Sequence, residues 1–97
     1  MTDPGLPLLQ LNLHSEHFDA IAGTPRTKWV EWRRICPYWT TRLVGRKYRA
    51  ICFRNGYGKL VPEMLVEFKG VRRVPGKKLY AIRLGRVLLK RRWPRKS

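Results

Sequence analysis

Glu63-Met64-Leu65-Val66-Glu67-Phe68-Lys69-Gly70-Val71-Arg72-Arg73-Val74, then Pro75-Gly76-Lys77-Lys78, then Leu79 to Leu89, reads as two long strands joined by a turn. The first run is rich in strand-favouring residues, and Gly70 inside it marks a kink or bulge. In the second, Tyr80, Ile82 and Leu84 alternate with Ala81, Arg83 and Gly85, the period of a strand with one buried face. Gly85 gives this run its own bend. A long hairpin bent in both arms has to curl, because bulges increase local twist. The expected fold class is therefore α+β, a small β-barrel of about five to six strands with one or two short helices.

The chain upstream supplies the remaining elements. Leu8 to Leu13 reads as a short strand with Leu9, Leu11 and Leu13 on one face. After Ser15, acids in the first turn and Phe18, Ile21 and Ala22 at helical spacing predict a helix of about two turns that stops at Gly23. Thr24-Pro25-Arg26-Thr27 forms a loop, and Lys28 to Arg33 favours a strand. Alternation would put Trp29, Glu31 and Arg33 on one face and Lys28, Val30 and Trp32 on the other. Beyond Cys36-Pro37, Tyr38 to Leu43 reads as a helical turn with Tyr38, Trp39 and Arg42 on one face. Tyr48 to Arg54 reads as a central strand ending in a tight turn, with Asn55-Gly56 as its positive-φ pair. A chain of 97 residues suits one small domain, here residues 8–89, between a flexible start (1–7) and a basic C-terminal tail (90–97).

Charge narrows the partners. The net charge is +16, and all 22 Lys and Arg follow Thr24 with only three of the six carboxylates, so residues 25–97 carry +19. Self-repulsion on that scale destabilises a compact chain unless a polyanion relieves it. The expected partner is nucleic acid, RNA or single-stranded DNA, bound with strong salt dependence through counterion release. No long amphipathic helix presents the basic residues on one face, and no apolar run could cross a bilayer, so a membrane partner is not expected. The N-terminus has no secretory pattern, and a cytoplasmic protein is expected. Cys36 and Cys52 read as reduced structural thiols. With His14 and His17 they lack zinc-site spacing, so no metal is expected. His14 and His17, flanking the helix start, read as cap or surface residues without a role. Gly56-Tyr57-Gly58-Lys59 fits neither the phosphate-loop nor the dinucleotide pattern, and no small-molecule cofactor is expected.

Glu31 is the conspicuous acid, set among cations in Lys28-Trp29-Val30-Glu31-Trp32-Arg33. A carboxylate between two tryptophans offers hydrogen bonds beside stacking surface, which suits an unpaired base. The nucleic-acid-binding candidates are Trp29, Trp32, Arg33, Trp39, Arg42, Asn55, Arg72, Arg73, Lys90, Arg91 and Arg92. RNA cleavage without a metal needs a base near the 2′-hydroxyl, an acid for the leaving oxygen and cations for the developing charge. Lys28, Glu31, Tyr38, Arg54 and Tyr57 are the catalytic candidates. The plainer alternative is a structural Glu31–Arg33 ion pair at the barrel mouth.

The ordered set of short strand, helix ending in Gly23, Lys28-x-x-Glu31-x-Arg33, Tyr38-Trp39 turn, Phe53-Arg54-Asn55-Gly56-Tyr57, Val66-Glu67-Phe68-Lys69-Gly70 and Tyr80-Ala81-Ile82-Arg83-Leu84-Gly85 resembles the ASCH family of small PUA-like barrels. The similarity runs from about Leu8 to Leu89. It implies a PUA-like pseudo-barrel whose cleft is lined by the Lys28-x-x-Glu31-x-Arg33 strand, with a role toward RNA or modified nucleosides. Members are linked to RNA binding, some to ribonuclease action, and a small branch to deacetylation of N4-acetylcytidine. In that branch a threonine nucleophile stands three positions after the motif lysine, where this chain has Glu31. Thr24 and Thr27 precede Lys28, so amide hydrolysis lacks its nucleophile even though Glu67 matches the second-strand carboxylate. The function expected is single-stranded nucleic-acid binding, RNA foremost, with metal-independent or metal-assisted ribonuclease activity as an extension. The alternatives are a nucleoside amidohydrolase and a charge-based protein-interaction module.

Overall fold

The computed structural model describes residues 5–95; the expectations for residues 1–4, Lys96 and Ser97 fall outside the described residues. In chain order the elements are β1 (Leu8–Asn12), α1 (Ser15–Ala22), β2 (Val30–Arg34), α2 (Pro37–Leu43), β3 (Ala50–Arg54), β4 (Glu63–Val74), a 3₁₀ turn (Pro75–Lys77) and β5 (Leu79–Arg91). The strands form one sheet in the order β1-β3-β4-β5-β2, parallel only between β1 and β3. It curls into a half-barrel with two helices, which meets the expectation of a small barrel-like α+β fold.

The β4–β5 hairpin produces the curl. Its register shifts between Leu65 and Val66, between Val66 and Phe68, and between Phe68 and Val71. Gly70 sits at the last of these with φ +110°, a conformation that strains side chains bearing Cβ. On the facing strand Gly85 lies under Glu67, where an added Cβ would come within 2.7 Å of the Glu67 Cβ. Both glycines therefore permit the bend, one through backbone conformation and the other through close approach.

Alternation then fills the concave side. Leu9, Ile51 and Val66 are cross-strand neighbours, as are Leu11, Phe53 and Met64, and all six are buried. Phe18, Ile21 and Ala22 of α1 and Leu43 of α2 close over them together with Tyr80, Ile82 and Leu84. The apolar area removed from water here is the main source of stability, at about 25 cal/mol per Å². The Tyr80 hydroxyl is satisfied by Thr40 Oγ1 at 2.6 Å, which ties α2 to β5.

Three details differ from the sequence expectation. First, β2 begins at Val30, because the Thr27 and Lys28 N–H groups both bond the Ala20 carbonyl (2.8 and 3.1 Å) and fold this segment back onto α1. Second, Asn55-Gly56 is not a two-residue hairpin: Asn55 N–H bonds the Pro62 carbonyl (2.9 Å) across a longer loop, and of the pair only Gly56 has positive φ. Third, β5 continues to Arg91, and the segment after it docks on α1. Trp93 Nε1 donates to Asp19 Oδ1 (3.0 Å), and Arg95 pairs with Asp19 at 2.9 Å.

Candidate functional site

The two edge strands approach each other at the C-terminal end of β1. Arg33 Nη2 on β2 donates to the Asn12 carbonyl at 3.2 Å, a side-chain link across the seam of the half-barrel. Beside it lies a cavity of about 460 Å³ lined by Asn12, Leu13, His14, His17, Lys28, Glu31, Trp32 and Arg33. Glu31 is the buried charged residue of the described chain, 5% exposed. Its cross-strand neighbour Ile82 is fully buried, so alternation along β2 carries the carboxylate inward.

Burying a carboxylate is costly unless it is paired, and Glu31 is paired on both oxygens. Lys28 Nζ donates to Oε1 at 2.7 Å, and Arg33 Nη1 bonds Oε2. The Lys28 ammonium also lies 3.2 Å from His17 Nδ1. A lysine ammonium only donates, so in a hydrogen bond between the two the acceptor is His17 Nδ1. Arg33 further donates to the Trp32 carbonyl (2.9 Å) and lies over the Trp39 ring at 5.2 Å. The seam thus holds a continuous chain, His17–Lys28–Glu31–Arg33–Trp39.

Of the catalytic candidates, the structure brings Lys28 and Glu31 together and leaves the other three elsewhere. Tyr38 is exposed on α2 beneath the Arg42 guanidinium, 3.4 Å from its ring centroid, and meets the seam only through its edge contact with Trp39 (4.9 Å). Arg54 is bonded to Glu63 (3.1 Å) and to the Gly58 carbonyl (2.7 Å), bracing the 55–62 loop on which Tyr57 is fully out in solvent. Asn55 binds Leu13 O through Nδ2 (3.0 Å) and accepts from Ser15 and Arg95 at Oδ1, so it holds α1, β1 and the C-terminal segment together.

The binding candidates are also dispersed. Trp32 lines the seam, 41% exposed, with Lys77 Nζ 5.8 Å from its ring. It shares a cross-strand row with Ala81 and Arg72 on the convex side. Arg73 falls in the next row, with Tyr80 and Arg33. Trp29 was expected on the face of Glu31 but lies apart from it, just ahead of β2, where its carbonyl still accepts the Leu84 N–H (3.0 Å). It lines a second cavity, of about 450 Å³, with Arg26, Glu67, Lys69, Gly85 and Arg86. The C-terminal cations diverge: Lys90 Nζ bonds Ala22 O (2.8 Å), Arg92 Nε bonds Val61 O (2.7 Å), and Arg91 lines a third cavity with Arg49, Cys52 and Glu63.

Sequence reading missed His14 and His17 at the seam and Arg26, Lys69 and Arg86 around Trp29. The only available signal for the histidines was their i, i+3 spacing, which puts both on one side of the start of α1. Glu67, the second-strand carboxylate suggested by the family resemblance, belongs to the Trp29 cavity and not to the seam. Its pKa is held below the usual 4.5, chiefly by the Arg86 backbone N–H. Burial raises the Cys52 thiol pKa, with Glu63 adding to the effect, so this cysteine is a poor nucleophile. Both cysteines are free, and among the described residues no group of three His, Cys, Asp or Glu could hold a metal ion. No helix among them is long and apolar enough to cross a membrane. No family model, curated protein or solved structure matches the chain.

Proposed function

We propose that this protein binds single-stranded nucleic acid, RNA foremost, on the convex side of β2, β5 and β4 next to the seam. The observation that carries the reading is the row Trp32, Ala81, Arg72, an exposed indole separated by one small residue from an exposed cation and approached by Lys77. A base stacks on the indole, and the cations around it take the flanking phosphates. Stacking tolerates any base, and phosphate contact supplies salt-dependent affinity. The charge of +16 supports a polyanionic partner, and the ordered motifs resembling ASCH proteins support RNA. The test is titration of fluorescein-labelled single-stranded RNA at several salt concentrations, beside single-stranded and duplex DNA. Affinity that falls steeply with salt and is weakest for duplex is expected; no binding at low salt, or binding indifferent to salt, overturns the reading.

A second reading, RNA cleavage, is favoured by the convergence of His14, His17, Lys28 and Glu31 on one cavity. In such a step the 2′-oxygen loses its proton to a base and attacks phosphorus. The P–O5′ bond breaks, and an acid protonates the departing 5′-oxygen, leaving a 2′,3′-cyclic phosphate. End-labelled RNA incubated with and without EDTA tests it. Cleavage lost in His14→Ala or His17→Ala supports the reading, and cleavage unchanged in both removes it.

A further inference from the structure

We infer that the Trp29 cavity is a second nucleotide subsite, which takes a base with an exocyclic amino group and its attached phosphate. The inference rests on the nucleic-acid reading and concerns a different part of the surface from the seam. Trp29 is 53% exposed although it belongs to the segment entering β2. Beneath it the Arg26 guanidinium lies 5.2 Å from the ring centroid, fixed by bonds from Nε to the Lys28 carbonyl (2.8 Å) and from Nη1 to the Gly85 carbonyl (2.6 Å). A cation held under one face leaves an indole whose other face can receive a flat ring at little entropic cost.

Arg26 Nη2 adds a second indication of a ligand. It is the buried side-chain nitrogen among the described residues that has no hydrogen-bond partner. A buried donor left without an acceptor is unfavourable, and a ligand acceptor would relieve it.

The rest of the cavity supplies both halves of a nucleotide's chemistry. Lys69 and Arg86 line it with cationic groups for a phosphate; the Arg86 side chain is 84% exposed, and its Nε lies 3.5 Å from Glu67 Oε1. Glu67 Oε1 accepts the Arg86 N–H at 2.8 Å, which orients the carboxylate and leaves further lone pairs for a ligand. An acceptor at this position selects a base with an amino donor, such as cytosine, over uracil, which presents a carbonyl there. Gly85 keeps the floor low, since a Cβ would collide with Glu67 and with Lys69 Cε at 2.9 Å.

The experiment titrates the full 15N-labelled chain with cytidine and uridine 5′-monophosphates, following the tryptophan indole N–H signals assigned with Trp29→Phe. The Trp29 indole and the Gly85 and Arg86 amides are expected to shift, with cytidine monophosphate the tighter ligand. Trp29→Ala should weaken it by about tenfold or more. Glu67→Gln should reduce the preference over uridine monophosphate, and Lys69→Ala should weaken both nucleotides. Arg46→Ala, which removes a charge far from Trp29 in the chain, should leave both unchanged; loss equal to that of Lys69→Ala would mean diffuse attraction and overturn the subsite. If labelled RNA binds in a salt-dependent way but the nucleotides leave Trp29 unmoved and Trp29→Ala binds RNA normally, the subsite is refuted and the binding reading stands. If neither RNA nor nucleotide binds, both fall.

Discussion

Two cavities flank the segment Arg26–Arg33, each with one tryptophan and one strand carboxylate among cations, yet the carboxylates are used in opposite ways. Glu31 at the seam is buried, and both oxygens are taken by Lys28 and Arg33. Glu67 in the Trp29 cavity is partly open: its Oε1 takes the Arg86 backbone N–H from its own hairpin and lies 3.5 Å from the Nε of the same, largely exposed, arginine. The first acid holds the half-barrel together, because Arg33 also reaches across to β1. The second is fixed without being neutralised by a buried partner, so it has capacity left for a ligand. The same trio of tryptophan, carboxylate and cations thus gives a structural acid in one cavity and a recognition acid in the other, and the deciding variable is burial.

The largest way to break this contrast is Glu31→Ala. With the carboxylate gone, Lys28 and Arg33, whose side chains are only 16% and 17% exposed, lose their shared partner. Removing one member of a buried ion pair costs about 3–5 kcal/mol. Urea unfolding followed by circular dichroism should show a loss of that order, whereas Glu67→Gln should barely move the midpoint. Equal effects from both would erase the distinction between the cavities.

Next in size are the aromatic truncations, which sharpen the contrast by asking which cavity faces the ligand. Trp32→Ala should lower affinity for single-stranded RNA by about 1–3 kcal/mol, roughly 5- to 150-fold, without a matching loss of stability. Arg72→Ala should act more weakly and in a different way. Losing one phosphate contact reduces the slope of log affinity against log salt by about 0.7 for a single strand. A variant that lowered affinity while leaving the slope intact would mean that Arg72 does not touch phosphate.

Why sequence reading reached the barrel-like α+β class and only half of the site follows from the kinds of contact involved. The period-2 pattern in residues 79–89 and the glycine at position 70 are local signals, and each fixes the geometry of its own strand. The pairing of Glu31 with Arg33 was legible for the same reason, since alternation puts the two on one face. The position of Lys28 was not, because a single non-local pair of hydrogen bonds from residues 27 and 28 to the Ala20 carbonyl delays the start of the strand by two residues. That pair moves Lys28 to the side of His17 and Glu31 and sends Trp29 to a separate cavity. Arg54, an apparent catalytic cation by its place in Phe53-Arg54-Asn55-Gly56-Tyr57, braces a loop because Glu63 lies opposite it in the β3–β4 register. The tail reads as eight solvated residues until Asp19 supplies a partner for Trp93 and Arg95.

The smallest predicted effect separates the two acids by pH. The folded-state pKa of Glu67 lies below its usual 4.5, first because of the Arg86 N–H and further because of the nearby Lys69 and Arg86 charges. A carboxyl whose pKa falls on folding contributes stability above its unfolded value and loses it as pH drops through the folded value. Wild type and Glu67→Gln should therefore differ slightly in unfolding midpoint at neutral pH. That difference should shrink as pH falls below the usual carboxylate pKa of 4.5, until the two proteins unfold alike. The absence of any gap at neutral pH would mean that the Arg86 N–H bonds a neutral amide as well as a carboxylate. The acceptor in the Trp29 cavity would then be shape without charge, and the preference for an amino-bearing base should survive in Glu67→Gln.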